Sequence, residues 1–178
     1  MLGMNKTVLK WELFGIIVIS MLGSILHFFF GWSGQWGPMG AIAPVNESVW
    51  EHLKLAYWPI LLYAIIEYRF LKSFTNNYFL AKAICMFVAS VVIVIVFYSY
   101  TSIFDRILLV DIVSFCVAIA IGQLVSYKLL TSRKVPQYLD LVGMILVIFF
   151  GITFVLFTYF TPHLPIFKDP VTGGYGII

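Results

Sequence analysis

Charge is scarce in this chain. Only 11% of its 178 residues are Asp, Glu, Lys or Arg, against about 25% in an average soluble domain. Hydrophobic residues make up 62% and the mean hydropathy is +1.01, which excludes an ordinary soluble fold. No polar stretch exceeds roughly twenty residues, short of the ~50 an independent domain needs. Residues 1–178 therefore read as a single transmembrane helical domain. Cysteine is equally sparse. Cys85 and Cys116 both fall inside apolar runs, so no extracellular disulfide framework is implied, and both read as small buried hydrophobes. The sequence holds no His-Glu-x-x-His or His-x-x-x-His spacing and no internal repeat. It also lacks a small-residue cleavage site behind the Lys6/Lys10 region, so the first apolar run is expected to be a retained helix rather than a signal peptide.

What is present is hydrophobic length. Five runs of span size occur, at about 11–31, 48–71, 78–99, 105–128 and 137–160. Each supplies the ~20 residues that cross ~30 Å of hydrocarbon, and helices are required because lipid offers the backbone no hydrogen-bond partners. The expected fold is all-α, a multi-pass membrane bundle of five transmembrane helices. With a cytoplasmic N-terminus, that face carries Lys6, Lys10, Arg69, Lys72, Lys82, Lys128, Arg133 and Lys134. The other face carries Lys54, Arg106 and Lys168. The positive-inside bias then gives N-in, C-out and a cell-membrane location, and it accounts for the +3 net charge without a nucleic-acid partner.

The third run, VASVVIVIVFYSY, is β-branched and nearly featureless, and is expected to be the most lipid-exposed. The fourth repeats Ser114, Ala118, Gly122 and Ser126 at every fourth residue, a small-residue face suited to close helix packing. The loop 32–46 carries no charge, so it is expected to lie in the headgroup region or to fold back as a cap. Behind it, Ser48 and Glu51 have the spacing of a capping box, and Pro59 is expected to kink the helix they begin.

Polar chemistry concentrates between Ser24 and Trp58. The orientation above puts His27, His52 and His163 on one side of the membrane with Glu47, Glu51, Asp105, Asp111 and Asp169. One reading is a metal site, with zinc as the candidate ion, His27, His52 and His163 as ligands, and Glu47, Glu51 and Asp111 as candidate catalytic carboxylates. The other is structural: His52 and Glu51 form a helix start and cap, His27 bonds a loop carbonyl, and His163 sits in a Pro-stiffened tail. Asp111 pairs with Arg106 in that case, because an unpaired acid inside a span is costly. Glu12, Glu67 and Asp140 read as interfacial ion pairs with nearby Lys and Arg.

Three segments carry a resemblance: His27, then PVNESVWEHLKL from Pro44, then PIFKDP from Pro165 with the closing Gly-Tyr-Gly-Ile. Together they resemble a prokaryotic family of small integral membrane proteins of unknown function, over nearly the whole chain. In residue inventory alone, Ser, Asp and three His near one face, the chain is also similar to alkaline-ceramidase-type membrane hydrolases, which have more spans. Two functions follow as expectations. One is a non-catalytic accessory subunit that packs on another membrane protein through the Ser114/Ala118/Gly122/Ser126 face. The alternative is a metal-dependent membrane hydrolase acting on a lipid-like substrate.

Overall fold

The computed structural model describes residues 5–177. Six α-helices carry the fold: α1 (Lys6–Leu26), the single turn α2 (Phe29–Trp32), α3 (Val49–Leu71), α4 (Tyr78–Thr101), α5 (Leu108–Leu130) and α6 (Gln137–Tyr159). Short 3-10 turns lie at Gly37–Ala41 and Pro165–Phe167. Among the described residues the one extended pairing is an isolated bridge between Lys168 and Tyr175. The five runs read from the sequence are these five long helices with shifted ends. The first moves most: Asn5 accepts from the Val8 amide and starts α1 at Lys6, and the helix stops at Leu26 instead of 31. Hydropathy locates apolar residues, while a cap sets where the backbone turns.

Four helices, α1, α4, α5 and α6, are long and apolar enough to cross a membrane. Their exposed faces carry side chains such as Phe14, Ile17, Val113, Val117, Ile145 and Phe149. With its 23 residues α3 is as long as α5 and α6, but Glu51, Lys54, Glu67 and Arg69 keep it out of that set. It is instead the most buried of the long helices, with 13 of its 23 residues buried where α6 buries four. Packed against α1, α4 and α6, α3 has Glu51, Lys54 and Glu67 buried among its neighbours, while Arg69 is exposed.

The third run is not the most lipid-exposed: α4 contacts α3, α5 and α6, and 39% of its apolar window is buried, more than in the other three. The small-residue face of α5 corrects a second expectation. Ser114, Ala118, Gly122 and Ser126 are all buried within the chain's own bundle. A Cβ on Gly122 would sit 3.0 Å from the Cys85 carbonyl of α4, and Ser126 donates to Glu12 of α1. Small residues allow close packing, and here the partners are α4 and α1.

Pro59 does not interrupt α3, which runs unbroken from Val49 to Leu71. Lacking an amide hydrogen, it leaves the Leu55 carbonyl without its helical donor. That carbonyl points at Gly23 of α1, where an added Cβ would lie 2.5 Å away. Glycine at 23 therefore lets α1 close on the exposed acceptor.

Candidate functional site

The loop 32–46 folds back over one end of the bundle, turning through Gly34 and Gln35, both at positive φ. Its Gly40 and Ala43 carbonyls accept from the ammonium of Lys54, which is fully buried in α3. Lys54 also pairs with Glu51 at 2.6 Å and donates to the Thr158 hydroxyl of α6, which itself donates to Glu51. The tail returns to the same end, where Asn46 donates to the Gly176 carbonyl. Only half of the expected capping box forms. Ser48 accepts from the Glu51 amide, but the Glu51 carboxylate accepts from Val45 N instead of Ser48 N, whose hydrogen goes to Asn46. Lys54, one turn further along, draws the carboxylate inward.

Fixing Glu51 inward leaves the other polar residues of this segment facing α1 and α5. His27 lies just past the last turn of α1, Glu47 just before α3, and His52 in its first turn. Glu47 stands between the imidazoles, 3.7 Å from His27 Nε2 and 3.5 Å from His52 Nε2. One ligand atom from each of the three lies within 4.8 Å of the others. His52 Nδ1 is 2.9 Å from the Ser48 carbonyl, which can only accept, so the hydrogen is assigned to Nδ1 and the Nε2 lone pair faces Glu47. His27 is held below its ordinary imidazole value, chiefly by burial and then by His52 and Arg106, against the pull of Glu47. It is therefore neutral at pH 7, the form that binds a metal.

Arg106, in the α4–α5 connection, ties the cluster to α5. It donates to Glu47 at 3.0 Å and to Asp111 at 2.8 Å. Asp111 accepts a further bond from the Tyr100 hydroxyl of α4. His27, Glu47, His52, Arg106 and Asp111 line the polar part of a cavity of about 340 Å³ between α1, α3, α4 and α5, whose remaining wall is mainly apolar and includes Leu55, Ile93, Phe97, Ile112 and Phe115.

Of the six candidate residues, the structure brings His27, Glu47 and His52 together, with Asp111 joined to them through Arg106. His163 is not with them. It packs against Tyr175 in a tilted arrangement at a centroid distance of 4.6 Å and lines a separate hollow with Thr158, Thr161 and Gly176. The Pro-rich tail, rather than a helix axis, sets its position, which membrane-side bookkeeping does not resolve. Glu51 turns away to Lys54 and Thr158, so it too lies off the cavity. The sequence reading treated Arg106 only as a partner for Asp111; its contact with Glu47 links residues 59 positions apart. Tyr100, one helix earlier, carried no signal at all.

Two histidines and a carboxylate suit a tetrahedral or five-coordinate divalent ion. Metal–ligand bonds of about 2.0–2.2 Å put tetrahedral ligand atoms roughly 3.3 Å apart. The 3.7 and 3.5 Å separations run to different oxygens of Glu47, and single ligand atoms of the three residues lie within 4.8 Å of one another, so the side chains would draw together to hold an ion. Fold and site together define a helical protein with membrane-type spans and a histidine–carboxylate cluster at the polar end of an apolar cavity. Residues 2–177 match the model of a family described as "Family of unknown function (DUF6512)", and the chain belongs to that family. No curated protein and no solved structure matches it.

Proposed function

We propose that this protein is a metal-dependent membrane hydrolase acting on a lipid-like substrate, with zinc held by His27, Glu47 and His52. The observation that carries this reading is the convergence of those three side chains on the polar end of a cavity walled mainly by hydrocarbon. Bound zinc would supply a Lewis acid and acidify water. The chain's own residues do the rest. Imidazoles that ligate a metal are neutral, so Glu47, Asp111 and Arg106 sum to one negative charge and a divalent ion makes the site singly positive. That favours a substrate with an anionic or strongly polar head. Ile93, Phe97, Ile112 and Phe115 receive the chain, and Tyr100 and Asp111 hold Arg106 against Glu47.

We also propose five crossings, with α3 as the shielded fifth, in the cell membrane with the N-terminus cytoplasmic. Lys82 and Lys54 are buried in the bundle. Setting one aside from each face changes eight against three to seven against two (8 − 1 and 3 − 1), which strengthens the bias. The accessory-subunit reading loses the surface on which it relied, because the α5 face is already covered.

The test combines elemental analysis with hydrolysis of a long-chain ester. Protein purified in mild detergent is expected to hold about one zinc per chain. His27→Ala and His52→Ala lose it, and His163→Ala keeps it. Hydrolysis is expected only in zinc-loaded protein. Zinc retained by both His27→Ala and His52→Ala sinks the metal site, and stoichiometric zinc without ester cleavage sinks the hydrolase.

A further inference from the structure

The opposite end of the bundle holds a polar group that the cavity does not use. Glu12 of α1, Glu67 of α3 and Lys82 of α4 meet in the interior, all buried. The Lys82 ammonium is 2.8 Å from Glu12 Oε1 and 2.5 Å from Glu67 Oε2. Ser126 of α5 donates to Glu12 Oε1. The remaining oxygens, Glu12 Oε2 and Glu67 Oε1, are buried without a hydrogen-bond partner. These are not interfacial ion pairs, as the sequence suggested, but two acids sharing one base.

The charge does not balance. Two carboxylates against one ammonium leave a net negative charge among apolar helices, with two oxygens starved of donors. Such a charge is costly in this setting. The hydrogen count at Tyr78 points the same way. Its hydroxyl has one hydrogen and two neighbours, the Ala64 carbonyl at 2.6 Å and Glu67 Oε2 at 3.0 Å. The carbonyl cannot donate, so a hydrogen given to it leaves the contact with Glu67 unfilled unless the acid supplies one. The other titratable or polar groups facing the triad are Tyr63 of α3, Cys85 of α4 and Gln123 of α5. None brings a second positive charge.

We propose that Glu12 and Glu67, clamped by Lys82, form a proton-binding site that holds one exchangeable proton at neutral pH. Occupied, the triad is neutral; emptied, it carries one negative charge between α1, α3 and α4. The site is independent of the zinc reading and survives its failure. A sodium ion is a poorer occupant, because the ammonium already takes the bridging position between the two acids.

Infrared difference spectroscopy of the full protein in detergent tests this. The wild type is expected to show a protonated-carboxyl band that shifts in heavy water and disappears on alkalinisation. Glu12→Gln and Glu67→Gln each leave a neutral triad, so each is expected to fold, keep near-wild-type thermal stability and lose that band. Tyr78→Phe is expected to shift the band without removing it. The double Gln variant, with Lys82 unpaired, is expected to melt well below either single variant. A wild type with no such band at neutrality overturns the proposal. So does a band that survives in both single variants, or wild-type stability that rises specifically with sodium over potassium.

Discussion

The two ends of this bundle use the same kinds of side chain in opposite ways. At one end His27, Glu47 and His52 keep 31%, 36% and 22% of their side-chain surface exposed. They come from helix ends and a loop, and their separations leave room for another atom. At the other end Glu12, Glu67 and Lys82 are at most 3% exposed, come from within three different helices, and already touch. Where polar atoms converge without saturating one another, an external ligand can compete. Where they are sealed in, the only ligand small enough to enter is a proton. Openness, more than residue type, separates a binding site from a structural clamp.

The largest effect is expected from breaking the sealed end. Lys82→Met leaves two buried acids with no counter-charge, and losing one partner of a buried ion pair costs about 3–5 kcal/mol. For a chain of this size that is a fall of on the order of ten degrees in Tm, readable from tryptophan fluorescence in detergent. His52→Ala at the open end is expected to change the metal-free Tm by far less. Equal losses would erase the distinction between the ends.

Ligand-linked stability is expected only at the open end. Zinc at a hundredfold its Kd stabilises a protein that binds it by about 2.7 kcal/mol. That shift is expected in the wild type and Lys54→Met, and is expected to vanish in His27→Ala and His52→Ala. A zinc shift that persists without His52 would remove the open end from the comparison.

Backbone packing gives a smaller contrast. At the sealed end a Cβ on Gly143 of α6 would lie 2.3 Å from the Leu80 amide nitrogen and 2.4 Å from its Cα. Beside it Asp140 accepts from that same amide, capping α4 from another helix. Backbone cannot give way as a side-chain tip can, so Gly143→Ala is expected to cost about 1–3 kcal/mol. Gly31, near the open end, has no heavy atom within 4 Å of its virtual Cβ, and Gly31→Ala is expected to leave Tm unchanged. Thermal melts of the two variants side by side check this.

Most of the helix positions were legible in the sequence because apolar run length is a local property. The ends of α3 to α6 fall within a few residues of the apolar runs. Which long helix is buried most was not legible. Hydropathy favoured α4 to α6 as the most membrane-like, yet the most polar long helix, α3, is the most buried, because its acids and lysine need helices around them. The candidate site was half legible. His27, Glu47 and His52 lie near helix ends in the stretch where polar residues cluster, and they meet. His163 and Glu51 lie at that same end of the bundle but take other partners, since an end of a bundle is a surface and a site is a point. The sealed triad was misread because Glu12, Glu67 and Lys82 each lie within two turns of a helix end. Sequence alone gives depth along the axis, not which face turns inward.

The smallest expected effect concerns protons at the open end. Burial, His52 and Arg106 hold His27 below the ordinary imidazole value, so the unfolded chain binds a proton there more readily than the folded one. Above the unfolded value of about 6.5 both states are neutral and His27 adds no pH dependence. As the pH falls from about 6.5 toward the lower folded value, the unfolded state gains the proton first and metal-free stability declines. His27→Gln cannot titrate, so its metal-free melting curve is expected to lack this component. The two proteins are therefore expected to run parallel near neutrality and to diverge as the solution becomes mildly acidic. Curves that stay parallel throughout would mean that His27 is as free to charge in the folded protein as in water. The open end would then be more open than its geometry indicates.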